Sequence, residues 1–440
     1  MTHVLHRDLR TTLPEAVRGE GAYIVDKSGK RYLDASGGPA VSCLGHSHPK
    51  VIAAVQKQVA EMAYAYTLFF TSAAMEQLAD RLVAQAPADM DRAFFCSGGA
   101  EAVEGAIKLA RQYFLEIGQP SRRLYIARQR SYHGNTVGTL SLGTDAVRRA
   151  AYEAMLMPVE HIVPCYEYRH RRADETAEAY GLRAAEDLET TIQRLGAENV
   201  AAFICEPVVG ATLGCVPPTP GYLRRIREIC DRHGILLIFD EVMCGMGRTG
   251  HMYACNEDGV APDILTMAKG LGAGYAPIGG FLVARKIREA IERGSGALKH
   301  GHTYAGHTLA CATALAVQEA IAEEGLLENT RRMGAQLRRR LEETFGQHPH
   351  VGDIRGRGLF LGMELVADRE TKRPFDPARK TWLKLRQAAM EQGLICYPSG
   401  GCIDGTNGDH VVLAPPYNVT EFQLEEAVEK LGRAMASVLS

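Results

Sequence analysis

The chain predicts an α/β protein, with a large domain holding a mainly parallel sheet flanked by helices and a smaller α+β domain built from both termini. Three observations lead there. Several apolar runs end abruptly at one charged residue: VAAFIC at Glu206, ILLIF at Asp240 and the shorter ILTMA at Lys269. Runs that are apolar at every position, rather than at alternate ones, belong to strands covered on both faces. Amphipathic segments such as YLRRIREICDRHG alternate with these runs, the βα rhythm of a sheet with helices on its faces. Past residue 325 the pattern changes to long helices, an antiparallel pair and isolated short strands, as in a separate α+β unit. The expected boundaries are 1–55 for the N-terminal part of the small domain, 56–325 for the large domain and 326–440 for the C-terminal part of the small domain.

Composition narrows the class. The 440 residues are 46% hydrophobic and 23% charged, ordinary values for a soluble globular chain. A formal net charge of −2 offers no footprint for nucleic acid or an anionic membrane. The eleven cysteines form no CxxC pair, so reduced thiols acting as small core residues are expected, not a redox or zinc site. The N-terminal arm has no signal-peptide core, and no apolar run reaches the roughly 18 residues of a membrane span. The expectation is a cytoplasmic protein without nucleic-acid or membrane partners.

In order along the chain, a polar arm leads to AYIVDKSGKRYLD, two short runs about a turn at 26–29 and hence a hairpin. LGHSHPK follows; His46 and His48 lack a third ligand nearby, so a turn with histidines hydrogen-bonded to backbone is favoured over a metal site. Helical spacing runs from Val51 to about Gln85, broken at 64–71 by YAYTLFFT. That aromatic cluster is expected in the core, with a pocket wall as the other reading. AFFC, SGG and AEAVEGAIKLAR spell strand, turn and helix, and LYIARQRSYHGNT is a strand broken at Tyr132-His133-Gly134. The mixed charges of 166–183 read as a solvated face entering a helix. After Lys269 come the strand IGGFLVA and a helix to about Arg293. A long helix through Glu323 and another from Leu326 to about Phe345 follow. The end of the chain is expected as an antiparallel pair about 356–358, a helix over 378–392, strands LICYPS and HVVLAPP, and a last helix over 420–438.

The chemistry sits where the apolar runs stop. Open α/β sheets bind ligands at the carboxyl ends of their strands. An acid and a lysine held there, Asp240 and Lys269, suit pyridoxal phosphate, which needs a Schiff-base lysine and a carboxylate at its ring nitrogen. SGG before a helix offers free amides and a positive dipole end for a phosphate, although a plain strand-to-helix connection has the same spelling. Tyr132 can stack on a flat ring or pack in the core. Taken singly, Asp240 reads as a cap and Lys269 as a loop lysine; their convergence favours the cofactor.

In order and content, the motifs LGHSHP, SGGAEAVEGAIKLAR, SYHGNT, CEPVVGA, FDEVMCGMGRTG, AKGLGAGYAPIGG, HTYAGHTLACATALA and LAPPYNVT resemble those of class III pyridoxal-phosphate aminotransferases of fold type I. The resemblance spans nearly the whole chain and is nearest to the amine and ω-amino acid:pyruvate branch. It implies Lys269 as the Schiff-base lysine and proton carrier and Asp240 as partner of the pyridine nitrogen. Gly99 and Ala100 amides are implied on the phosphate, Tyr132 and Val242 on the two ring faces, and Glu206 as an acid ordering the surrounding hydrogen bonds. Thr303 is implied to reach the phosphate of a partner subunit, which makes the enzyme a homodimer. The reaction implied is amino transfer from an amine or ω-amino acid to a small 2-oxo acid, pyruvate foremost, by a ping-pong mechanism. A racemase or epimerase, an aminomutase or a decarboxylating transaminase would share Lys269 and Asp240.

Departures from the family pattern bear on the substrate. Ala100 stands where many relatives have Ser or Thr, and Met243 where Gln is frequent. Glutamate-using relatives carry an acid and a carboxylate-gripping arginine where this chain has Ala211 and Val412. That weakens the case for 2-oxoglutarate and leaves the site of a substrate carboxylate open.

Overall fold

The structure, a computed structural model, describes residues 3–439. It opens with an antiparallel meander of β1 (Ala16–Glu20), β2 (Tyr23–Asp26) and β3 (Arg31–Asp34). Asp26 makes the expected β2–β3 turn, its carboxylate accepting from the Ser28 and Lys30 amides at 2.9 and 3.0 Å. The large sheet follows: β4 (Met90–Cys96), β5 (Leu124–Arg128), β6 (Glu160–Ile162), β7 (Val200–Cys205), β8 (Leu236–Asp240), β9 (Ile264–Met267) and β10 (Gly279–Ala284). Their order is β4-β10-β9-β8-β7-β5-β6. All neighbours are parallel except β10, which runs antiparallel to both β4 and β9.

The unbroken apolar runs now have a cause. Leu237 and Phe239 of β8 enter a core on one face, with the helices Ala73–Val83, Ala177–Leu195, Tyr222–His233 and Thr308–Glu323. Leu236 and Ile238 enter a second core on the opposite face, with Gly99–Glu116 and Arg285–Arg293. Side chains alternate across a strand, so a sheet covered on both faces needs apolar residues at every position.

The remaining strands are β11 (Val351–Arg357), β12 (Phe360–Leu365), β13 (Leu394–Ile395), β14 (Tyr397–Gly400) and β15 (Asp409–Leu413). LICYPS, expected as one strand, is divided: β13 pairs in parallel with β3, and β14 pairs antiparallel with β15. The chain changes sheets at Cys396. Ala22, Leu33 and Ala35 share one core with Met333, Leu337, Leu385 and Leu431, so segments from both ends of the chain build it. The helix expected over 378–392 spans Thr381–Glu391, because Lys380 adopts φ +52° after a short turn at Pro377–Arg379.

Three expectations fail. Leu68, Phe69 and Phe70 are 75%, 75% and 67% exposed, not core. The 166–183 stretch does not begin as a solvated face: Tyr166 is buried, and it and Arg169 contact Glu364 of β12. Glu364 also pairs with Arg355 at 2.8 Å. His46 meets Asp34 at 3.3 Å and His48 meets Glu324 at 2.9 Å, so their rings bond carboxylates, not backbone. Among the described residues no helix is long and apolar enough to cross a membrane.

Candidate active site

Strands β8 and β9 are parallel neighbours with Asp240 opposite Thr266, so their carboxyl ends lie side by side. Asp240 is the last residue of β8, and Lys269 follows closely on the end of β9. Both line one cavity of ≈ 620 Å³, a volume suited to a cofactor with a small substrate. The next carboxylate, Glu241, does not line it. It lies just past the end of β8 and accepts from the amides of Ala254 and Cys255 at 2.6 and 2.8 Å. Burial pushes the pKa of this loop-tying acid up to about 7.

Asp240 is buried and heavily bonded. Oδ1 accepts from the Val242 amide at 3.0 Å and the Thr266 hydroxyl at 3.3 Å. Oδ2 lies 2.7 Å from His133 Nδ1. A carboxylate offers about four acceptor directions, so one remains on Oδ2 for a ligand. Lys269 is half-buried, and its Nζ has no hydrogen-bond partner among the described residues. Burial lowers its pKa, opposed in part by the charges of Asp240 and Glu206. Its φ of +45° is unusual for a residue with a side chain. Such strain is typical of a residue held in place by its surroundings.

Glu206, buried at the end of β7, accepts from the Tyr132 amide at 3.2 Å and the Gly210 amide at 2.9 Å. Burial raises its pKa. Ser97, Gly98, Gly99 and Ala100 form one wall of the cavity at the start of the 18-residue helix Gly99–Glu116. Among the described residues no side chain caps that helix, which leaves its first amides for a ligand. A Cβ built on Gly99 would stand 2.8 Å from Val242 Cγ1, so only glycine lets the helix start approach Val242 this closely. Tyr132, Val242, Met243 and Ala211 also line the cavity.

Two expected positions lie elsewhere. Thr303 is exposed and outside its own chain's cavity, its carbonyl accepting from the Tyr64 hydroxyl at 2.6 Å. Val412 is buried in an apolar cluster with Phe360 and Cys215, against Ala211 and Tyr397, because its position on β15 turns it into that layer. Three residues at the site had been given no role. His133 was visible only as the neighbour of Tyr132, and Arg7 and Arg148 lay in segments without a motif.

An open acceptor on Asp240, an unpartnered lysine amine and an uncapped helix start around one cavity fit the ring nitrogen, aldehyde and phosphate of pyridoxal phosphate. The fold and this set of groups define a fold type I transferase of the pyridoxal-phosphate class. The comparisons narrow the class further. The model of the family Aminotransferase class-III matches residues 5–435. An uncharacterized aminotransferase of Schizosaccharomyces pombe is 44% identical over 97% of this chain and 93% of its own. The (S)-enantioselective omega-transaminase of Thermomicrobium roseum has a TM-score of 0.93 at 36% identity, over 100% of this chain and 97% of that one. An amine transaminase from an uncultivated Pseudomonas species, solved with pyridoxal phosphate bound, has a TM-score of 0.91 at 37% identity, over 99% and 97%. The chain belongs to the class III aminotransferases, which are pyridoxal-phosphate-dependent enzymes.

Proposed function

We propose that this aminotransferase moves an amino group from an amine or ω-amino acid to a small 2-oxo acid, pyruvate foremost, by a ping-pong cycle in a homodimer. The observation that carries the reading is the open acceptor of Asp240 and the unpartnered amine of Lys269 in one cavity that Ala211, not an acid, lines. The names of the two transaminase neighbours support an amine donor. A cavity without a family-type arginine near Val412 disfavours 2-oxoglutarate.

Bound pyridoxal phosphate supplies an electron sink that acidifies the donor's Cα–H. The protein does the rest. Lys269 would anchor the group, and its amine Nζ, with a pKa lowered by burial, would carry the proton taken from Cα. Asp240 would keep a proton on the ring nitrogen, and His133 fixes the orientation of that carboxylate. The Gly99 and Ala100 amides hold the phosphate, with no hydroxyl from Ala100 to add a further bond, a loss of about 1 kcal/mol. Tyr132 and Val242 flank the ring, and Glu206 positions Tyr132 through its amide.

The dimer rests on a surface argument. Leu68, Phe69 and Phe70 are exposed next to Tyr64, whose hydroxyl bonds Thr303 and whose ring meets Tyr304 at 5.7 Å. An apolar patch continuous with the Thr303 segment suits a second copy of the chain, into whose site Thr303 would reach. Eleven free, buried cysteines suit a reducing, cytoplasmic location. The division at 55/56 and 325/326 is part of the same proposal, supported by the core that Ala22 and Leu33 share with Met333 and Leu431.

A donor screen of the holoenzyme against pyruvate and 2-oxoglutarate tests the reading. Alanine formation from amines and ω-amino acids is expected, with 2-oxoglutarate poor. Nitrogen retained on a donor of inverted configuration would replace it with a racemase. The yellow band of the holoenzyme is expected to disappear in Lys269→Ala; a colourless wild type that takes up no added cofactor would refute the assignment.

A further inference from the structure

An acceptor such as pyruvate brings a carboxylate into the cavity, and something must meet its charge. Among the described residues, the lysine and arginine side chains lining the cavity are Arg7, Arg148 and Lys269, and His133 is taken up by Asp240. Lys269 is committed to the cofactor, and the Gly99 helix start to the phosphate. Building on the proposed amine:2-oxo acid chemistry, we propose that Arg148 is the specificity residue that binds the substrate carboxylate.

Arg148 is held for that task. Its amide and Nε donate to the Asp145 carboxylate at 3.3 and 3.0 Å. Its guanidinium lies 4.7 Å from the ring centre of Tyr132, the aromatic that lines the same cavity. The aromatic face and the Asp145 contact together fix the plane of the fork. Nη1 and Nη2 have no partner among the described residues, and they present two parallel N–H groups, the geometry that matches a carboxylate. Asp145 reduces the local positive charge without using these two donors. Glu206 and Asp240 also line the cavity, and their negative charge opposes a carboxylate near the ring. The balance favours placing it at the Arg148 end.

Arg7 is the internal rival. It sits on the exposed N-terminal arm with no hydrogen bond or ion pair among the described residues to orient it, so holding a ligand would require it to order first. Arg148 is already ordered by Asp145 and Tyr132.

The test uses the holoenzyme and two readouts. In Arg148→Ala the KM for pyruvate is expected to rise roughly 10- to 100-fold, the size of a lost charge-assisted pair. The KM for an uncharged amine donor should change far less. Arg148→Lys should fall between, keeping charge and losing the fork. Independently of turnover, calorimetric titration with propionate should show the same weakening in Arg148→Ala, whereas propionamide should bind both proteins alike. Propionate affinity unchanged in Arg148→Ala, or a loss found in Arg7→Ala instead, overturns the assignment. Propionate held through Arg148 by a wild type that transfers no nitrogen to pyruvate would keep the anion site and remove the proposed acceptor.

Discussion

Asp240 shows how much of a buried carboxylate's behaviour is set by its bonds. Three of its acceptor directions are taken by Val242, Thr266 and His133, which fixes the carboxylate and leaves one direction open. Asn in its place keeps its one oxygen for the Val242 amide and the Thr266 hydroxyl, so the group at the open position becomes an NH2 that donates and carries no charge to stabilise a protonated ring nitrogen. Asp240→Asn is therefore expected to retain cofactor while its half-reactions slow by roughly 10²- to 10⁴-fold, a typical range for losing acid–base assistance. Single-turnover absorbance measures this, and unchanged half-reaction rates would refute the role. Asp240 and Lys269 were legible in the sequence because each ends an apolar run abruptly. The role of His133 was not, since its partner lies 107 residues along the chain. Arg148 stayed hidden for the same reason: its ring partner is local, but the cavity that gives the pair meaning is assembled from distant strands.

Among the elements, the glycine turn and the strands beside it matter most. SGG followed by a helical pattern was readable as strand, turn and helix, and the helix does begin at Gly99. What no local pattern shows is that Val242, after another strand, stands where a Gly99 side chain would go. Gly99→Ala must push either Val242 or the helix start away. An overpacking loss of about 1–3 kcal/mol in stability is expected by thermal unfolding, with cofactor released more readily on dialysis. A variant as stable and as well loaded as wild type would show that the close approach is unnecessary. Where the sequence misjudged elements, the cause was again a partner. LICYPS has one apolar pattern, yet its two halves pair with different sheets. The mixed charges of 166–183 read as solvated until Glu364 and Arg355 supply buried counterparts.

The whole molecule carries an exposed strip of Leu68, Phe69 and Phe70 that a lone chain would leave in water. Covering it with a second copy would bring the Thr303 segment along. The double substitution Phe69→Asp and Phe70→Asp is expected to shift the protein from dimer to monomer in sedimentation velocity, with most activity lost because each site would then lack Thr303. A wild type that sediments as an active monomer would overturn this reading.

The sequence by itself determined the α/β class and the family, and it singled out the acid and the lysine that line the candidate site. These follow from short-range patterns: hydrophobic periodicity, a run that stops at a charge, glycines before a helix. Only the tertiary structure decided that Asp240 faces the cavity while Glu241 ties a loop, and that the aromatic cluster lies outside the core. It also placed Arg148 and Tyr132 together at the cavity and Val412 in an apolar layer instead. Each of those outcomes depends on which strand lies beside which, and contacts between residues far apart along the chain leave no periodic signal in it.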